Sequence, residues 1–75
     1  MQAKVYEIVA RIMGVTTADI SDESSPQTLL KWDSLRHIKL ILALEETLKI
    51  QFSDAEITMM KDVRTIMEVV SEKKV

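Results

Sequence analysis

Apolar residues recur at helical spacing from about Gln2 to Met13, at the start of the chain. Steps of three and four residues place them on one face of a helix. These positions are Val5, Ile8, Val9, Ile12 and Met13. Gly14 follows, where many helices end in a left-handed residue, so the pattern predicts an amphipathic first helix that stops there.

The stretch from Val15 to about Asp33 lacks this periodicity and is rich in Ser, Thr and Asp, which predicts a long loop. Loops of this length are uncommon in small domains, and they tend to be functional or disordered. Three apolar residues favour an ordered loop that is attached to the core. They are Ile20, Leu29 and Leu30.

The segment from about Ser34 to Leu48 predicts a second helix with two apolar faces. One face comprises Leu40, Ile41, Leu44 and Leu48. The other face comprises Leu35, Ile38 and Leu42. Two apolar faces indicate either that this helix is central in the fold or that one face is a docking surface.

A short third helix is predicted to begin at Ser53 and to end around Met60. The sequence Ser53-Asp54-Ala55-Glu56 fits a capping box, in which the first and last side chains each accept a hydrogen bond from the other residue's amide. Phe52 and Ile57 fit the hydrophobic staple that accompanies such a box.

The last helix is predicted from about Val63 to Glu72, with Asp62 as its cap. Its apolar face comprises Val63, Ile66, Met67 and Val70.

The whole pattern predicts an all-α, antiparallel-type four-helix bundle: three longer helices, a short third helix, and a long loop between helices 1 and 2. At 75 residues the chain is expected to form one domain, residues 1–75.

Composition narrows the class of protein further. The chain has no cysteine, so the core must rest on its apolar residues, which make up 47% of the sequence. A net charge of -2 gives no electrostatic footprint for nucleic acid. No apolar run is long enough to span a bilayer, and the first residues lack the apolar block of a secretory signal. We therefore expect a cytoplasmic monomer.

Catalytic chemistry has little support in the sequence. His37 lies three residues after Ser34, but a small exposed helix offers neither a pocket nor an oxyanion hole, so His37 is expected to face solvent. Glu45 and Glu46 are adjacent and point in different directions, which does not suit a metal site. We expect no enzyme activity and no metal.

The remaining candidate is Trp32-Asp33-Ser34-Leu35, which by itself could be a helix start capped by Asp33 or Ser34.

Asp33-Ser34-Leu35, following a long loop and opening the second helix, resembles the attachment motif of acyl carrier proteins. Leu30 lies where that family has a leucine four residues before the serine. Residues 40–46 resemble its "L-V-x-A-L-E-E" stretch, and the resemblance covers essentially the whole chain. It implies that Ser34 receives a covalent 4'-phosphopantetheine from coenzyme A through a phosphopantetheinyl transferase. It also implies that Asp33 supports this attachment by helping to hold the transferase complex's metal ion.

The resemblance implies a function as well. The arm would carry acyl intermediates as thioesters to loading, condensing or tailoring enzymes of a fatty-acid, polyketide or other specialised pathway. The expected docking surface comprises Leu35, Arg36, Ile38, Lys39, Leu42, Glu45 and Glu46. The acyl chain could be sheltered by Leu40, Ile41, Leu44, Met59 and Met60, for which ordinary core packing is the alternative.

Four residues around Ser34 depart from the pattern of housekeeping fatty-acid carriers. Lys31 stands where those carriers usually have glycine, and Trp32 either packs over the helix start or meets a partner enzyme. Arg36 and Lys39 are basic where those carriers are acidic. Unless these changes are neutral, they suggest dedicated partner enzymes. Arg36 or His37 could also contact the phosphate of the arm.

Two other functions stay open. An aminoacyl or peptidyl carrier would use the same arm, but such carriers usually have glycines and a histidine before the serine, and Leu29-Leu30-Lys31-Trp32 lacks them. A cofactor-free helical adaptor would use Ser34 only as a cap, and its stripe of Leu35, Ile38 and Leu42 would bind a partner helix.

Overall fold

The computed structural model describes residues 2–74 of the chain. Four α-helices run in the order α1 (Gln2–Met13), α2 (Ser34–Leu48), α3 (Asp54–Met59) and α4 (Val63–Lys74), and a 3-10 turn at Thr17–Asp19 interrupts the first loop. These described residues contain no β-strand. The predicted all-α fold with a short third helix is confirmed, and each helix begins and ends within two residues of its expected boundary.

The core is formed mainly by the apolar faces of α1, α2 and α4. The predicted stripes of α1 and α4 and one of the two predicted stripes of α2 turn inward, and α1 makes its most extensive contact with α2. The fully buried large side chains include Met13, Leu40, Leu44, Met60 and Ile66. Each such side chain stabilises the fold by about 1.5–3 kcal/mol through burial. α3 has no fully buried residue, so this short helix depends more on its caps and polar contacts.

The capping box of α3 is present as predicted. The Glu56 amide donates to Ser53 Oγ at 3.2 Å, and the Ser53 amide donates to Glu56 Oε1 at 2.8 Å. Lys73 of α4 also pairs with Glu56 Oε1, at 2.9 Å. The hydrogen bond from the Ser53 amide and the charge of Lys73 lower the pKa of Glu56. One carboxylate therefore both starts α3 and holds it against α4.

Asp62 caps α4, also as predicted. Its Oδ1 accepts hydrogen bonds from the amide and the hydroxyl of Thr65 at 2.8 and 2.9 Å. The hydrogen bond from the Thr65 amide lowers the pKa of Asp62. These hydrogen bonds stabilise the turn between α3 and α4.

The long first loop is ordered because it completes the start of α4. The amides of Val63 and Arg64 donate to the carbonyls of Ser24 and Asp22, both at 3.0 Å. These amides have no partners within their own helix. The Tyr6 hydroxyl donates to Asp22 Oδ1 at 2.6 Å, which ties the same loop to α1 and raises the pKa of Tyr6.

Two of the three loop residues expected to reach the core do so. Ile20 is buried and Leu29 is half-buried, but Leu30 is 95% exposed, so its prediction was wrong. The Trp32 amide donates to the Leu29 carbonyl and closes a tight turn. The two ends of this turn point inward, and Leu30 lies at its outer tip.

No helix within residues 2–74 is long and apolar enough to cross a membrane.

Candidate functional site

Ser34 is the first residue of α2, and its side chain is exposed. Asp33 is the cap of this helix, with Oδ1 accepting a hydrogen bond from the Arg36 amide at 2.8 Å. The choice left open between Asp33 and Ser34 is therefore settled for Asp33. Among residues 2–74, the Ser34 hydroxyl has no hydrogen-bond partner. It is free to react.

The start of α2 also provides favourable electrostatics for an anion on Ser34. The first amides of a helix lack partners within it, and the helix dipole places a partial positive charge there. Asp33 occupies one of these amides and leaves its neighbours available. A phosphodiester on the Ser34 oxygen would meet this positive end directly.

Trp32 and His37 form a pair beside Ser34. Trp32 is only 2% exposed, and its Nε1 donates a hydrogen bond to His37 Nδ1 at 3.0 Å. The two rings are stacked, with centroids 6.1 Å apart. The solvent-facing position predicted for His37 was wrong, because a buried indole N–H needs an acceptor and the imidazole supplies it. Of the alternatives for Trp32, the structure shows packing inside the protein.

This pair sets the protonation state of His37. Nδ1 can accept a hydrogen bond only when it carries no proton, so the imidazole is neutral and its proton lies on Nε2. Partial burial lowers the pKa of His37, in agreement with this state. His37 therefore offers the arm's phosphate no positive charge at neutral pH.

Arg36 points away from the attachment site. Its guanidinium donates to the carbonyl of Ile12 at 2.8 Å, at the end of α1. The last carbonyls of a helix lack partners and carry partial negative charge, so this contact joins the end of α1 to the start of α2. Arg36 was expected to serve docking or the phosphate. Its guanidinium makes this contact within the fold, and the docking role of Arg36 stays a prediction.

Glu45 and Glu46 have different environments. Glu45 is half-buried, and its Oε2 accepts a hydrogen bond from the Phe52 amide at 2.9 Å. That contact fixes the connection between α2 and α3. Glu46 is exposed. Of the two glutamates expected on the docking surface, only Glu46 is free of a structural contact.

The second apolar stripe of α2 faces outward. Leu35, Ile38 and Leu42 are 61%, 58% and 58% exposed, and Lys39 is exposed beside them. The face made of Leu40, Ile41, Leu44 and Leu48 is buried instead. The structure thus shows that α2 packs with one face and leaves the other uncovered. The docking role of this stripe stays a prediction.

A cleft of about 740 Å³ opens beside Ser34, between α2 and the α3–α4 connection. Its walls include Trp32, Ser34, His37, Ile38, Ile57, Met60 and Lys61. Lys61 was missed by sequence analysis, because its position opposite Ser34 depends on how the helices pack and no local pattern signals it.

The expected acyl-sheltering residues separate into three groups. Leu40, Ile41 and Leu44 are buried in the core, and their sheltering of an acyl chain stays a prediction. Met60 is buried and lines the cleft. Met59 is 58% exposed, so its prediction was wrong. The helical turn that directs Met60 inward places Met59 on the outside, in a groove that Met67 also lines.

A small helical bundle that offers a free hydroxyl beside an open cleft is the arrangement that a carrier protein needs. Comparison with known proteins makes the class specific. Residues 3–71 match the phosphopantetheine attachment site family. The chain belongs to this family, and its prosthetic group is a covalently attached 4'-phosphopantetheine.

Two relatives agree with this assignment. The chain is 30% identical to the acyl carrier protein of Syntrophobacter fumaroxidans over 74 residues, which cover 99% of this chain and 91% of that protein. It is also similar to the solution NMR structure of holo acyl carrier protein from Geobacter metallireducens. The TM-score is 0.87 with 27% identity, over 97% of this chain and 84% of the other. The resemblance drawn from Asp33-Ser34-Leu35 is confirmed.

The site fits the prosthetic group. The Ser34 hydroxyl is exposed and free, the amides at the start of α2 favour its phosphate, and the cleft provides room beside it. Residues 2–74 contain no cluster of carboxylate or imidazole groups suited to a metal ion.

Proposed function

We propose that this chain is an acyl carrier protein that is modified at Ser34 and acts as one carrier domain over residues 1–75. The observation that carries the proposal is that different residues cap α2 and present the free hydroxyl at its start. Asp33 caps the helix, and the neighbouring hydroxyl of Ser34 is exposed and has no partner within the described chain. A serine that served only as a cap, as in a cofactor-free adaptor, would accept the amide hydrogen bond that Asp33 accepts.

The attachment step needs only a nucleophile from this chain. The Ser34 oxygen forms the new ester bond to the β-phosphorus of coenzyme A, the hydroxyl proton is lost, and adenosine 3',5'-bisphosphate leaves. The transferase supplies the base and the metal ion. The exposed carboxylate of Asp33 supports the step by contributing to the metal's ligands. The attached arm then supplies a terminal thiol for thioester chemistry.

Attachment is tested by incubating the protein with coenzyme A, Mg²⁺ and a broad-specificity phosphopantetheinyl transferase, and measuring its mass. We expect a single phosphopantetheinyl addition, and none in Ser34→Ala. The exposed Ser71 provides a matched control, since Ser71→Ala should load normally. If the native chain fails to load under conditions that modify a known carrier, the cofactor-free helical adaptor becomes the favoured function.

The role of Asp33 is separable from its cap. Asparagine caps helices about as well as aspartate but carries no charge. Asp33→Asn should therefore keep the thermal stability of the protein and slow its loading. Equal loading rates for Asp33→Asn and the native protein would remove Asp33 from the attachment machinery.

We further propose dedicated partner enzymes in a specialised acyl pathway, which dock on Leu35, Ile38, Lys39, Leu42 and Glu46. The support is the uncovered apolar stripe with a basic residue beside it. Because Arg36 is bonded to Ile12, charge reversal is best made at Lys39 alone. Lys39→Glu should weaken the binding of this carrier to its cognate enzyme. It should also make the carrier a better substrate for fatty-synthase enzymes. Full use of the native protein by fatty-synthase enzymes would contradict this proposal.

An aminoacyl or peptidyl carrier is the alternative, and the identity of the thioester on protein isolated from its source separates the two. A cytoplasmic location, a monomeric state and the absence of catalytic activity stay predictions.

A further inference from the structure

Modification of Ser34 would create a charge problem at the start of α2. A phosphodiester is negatively charged at neutral pH, and its oxygen would be joined to the residue next to the Asp33 carboxylate. The helix terminus offsets part of this repulsion, since it carries about half a positive charge. A cation close to Ser34 would offset the rest.

The cationic side chains nearest to Ser34 in sequence do not lie where they could offset the charge of the phosphodiester. The Arg36 guanidinium bonds to the Ile12 carbonyl at 2.8 Å. The Lys31 ammonium lies beside Gly14, where a Cβ atom built on the glycine would be 3.7 Å from Nζ. Lys39 is five residues after Ser34, which places it about 7.5 Å along the helix and on a different face.

Lys61 is the cation on the other wall of the same cleft. It lines the cleft with Ser34, its side chain is exposed, and its ammonium pairs with no carboxylate among the described residues. Its backbone is fixed, since the Lys61 amide donates to Thr65 Oγ1 and to the Met59 carbonyl, both at 3.0 Å. A long side chain on a fixed backbone has a limited set of positions to reach. Its methylene groups can lie along the apolar wall that Met60 contributes while the charge stays in solvent.

We propose that the Lys61 ammonium pairs with the phosphodiester on Ser34 and holds the first part of the arm in this cleft, against the Trp32–His37 pair. The inference rests on the proposed attachment at Ser34. Lys61 is a positioning residue here. The pair is exposed, so its effect is modest and sensitive to salt. We expect it to raise the ratio of docked to free arm by about two- to fivefold, the range of an exposed ion pair.

The experiment uses the holo protein, after its mass has shown that Ser34 is loaded. The ³¹P resonance of the phosphodiester is recorded against NaCl concentration for the native chain, Lys61→Gln and Lys39→Gln. A fluorophore on the terminal thiol reports the mobility of the arm by anisotropy decay. Lys61→Gln should shift the ³¹P resonance, remove most of its salt dependence and increase arm mobility. Lys39→Gln should leave all three unchanged, because that lysine lies on another face.

Lys61→Arg keeps the positive charge and should retain the native ³¹P resonance and arm mobility, which separates a charge effect from altered folding. The proposal is overturned if Lys61→Gln matches the native protein, or if Lys39→Gln has the same effect as Lys61→Gln. It is also overturned if Lys61→Arg behaves like Lys61→Gln. A chain that takes up no arm at Ser34 would instead contradict the proposed function, and this inference would fall with it.

Discussion

The buried indole of Trp32 donates its N–H to Nδ1 of His37 at 3.0 Å, and this bond lies beside Ser34 at the wall of the cleft. The chain has one tryptophan and one histidine, so tryptophan fluorescence reports on Trp32 alone and imidazole titration on His37 alone. Protonation of Nδ1 would turn the acceptor into a donor and leave the indole N–H without its partner. The wall of the cleft is therefore coupled to the charge of a single imidazole.

We predict that Trp32 fluorescence changes as the pH falls below 6.5. Burial lowers the pKa of His37 in the folded protein below its ordinary 6.5. The neutral ring therefore contributes stability that is fully present above pH 6.5 and is lost as the pH falls through the lowered value. A fluorescence titration and thermal melts across this range measure both effects.

His37→Gln is the control for that titration, because glutamine offers a carbonyl acceptor that does not ionise in this range. The fluorescence of His37→Gln should be flat where the native signal changes. A native midpoint at or above 6.5, or an equal titration in the variant, would show that the bond with Trp32 does not govern the signal.

Arg36 is predicted to matter for stability more than its exposed neighbour Lys39. Arg36→Gln removes the guanidinium that reaches the Ile12 carbonyl across 24 residues of sequence. We expect a loss of about 1 kcal/mol, below the usual value for a charged hydrogen bond because the contact is only partly buried. Lys39→Gln should change the free energy of unfolding by less than about 0.5 kcal/mol. Equal urea midpoints for the two variants would contradict a structural role for Arg36.

Adjacent glutamates give a second matched pair. Glu45→Ala leaves the Phe52 amide without the carboxylate that accepts its hydrogen bond at 2.9 Å, and we expect a loss of about 1–2 kcal/mol. Glu46 is exposed, so Glu46→Ala should lie within about 0.5 kcal/mol of the native protein. Chemical denaturation of the two variants measures this difference. If Glu46→Ala is the more destabilising change, the bond to Phe52 does not hold the α2–α3 connection.

These pairs show where sequence analysis succeeds and where it does not. The helices follow from local information: apolar periodicity, Gly14 after α1, the box at Ser53 and the cap at Asp62. Each of these signals lies within a few residues of the structure that it predicts. The attachment motif is local too.

The errors arise where contacts are distant or depend on packing. Whether Arg36 reaches a partner enzyme or Ile12 depends on how α1 crosses α2, which no local pattern gives. Leu30 and Met59 are apolar residues at turns, where a neighbour takes the inward position. His37 follows from the burial of Trp32, which the sequence left open, since a buried tryptophan requires an acceptor for its N–H.

Lys49 and Gly14 end α2 and α1 with the same left-handed backbone, at φ values of 59° and 72°. Non-glycine residues pay about 1–2 kcal/mol for this conformation, and glycine costs about 0.4–1 kcal/mol by making the unfolded chain more flexible. Lys49→Gly should therefore raise the free energy of unfolding by about 0.5–1 kcal/mol, and Gly14→Ala should lower it by about the same amount. A Cβ at Gly14 would meet only the Lys31 Nζ, at 3.7 Å, so the backbone conformation alone is tested there. Thermal and urea unfolding measure both changes in the free energy of unfolding. The prediction requires that the two changes have opposite signs. If Lys49→Gly is destabilised, the lysine side chain contributes more stability than its backbone conformation costs.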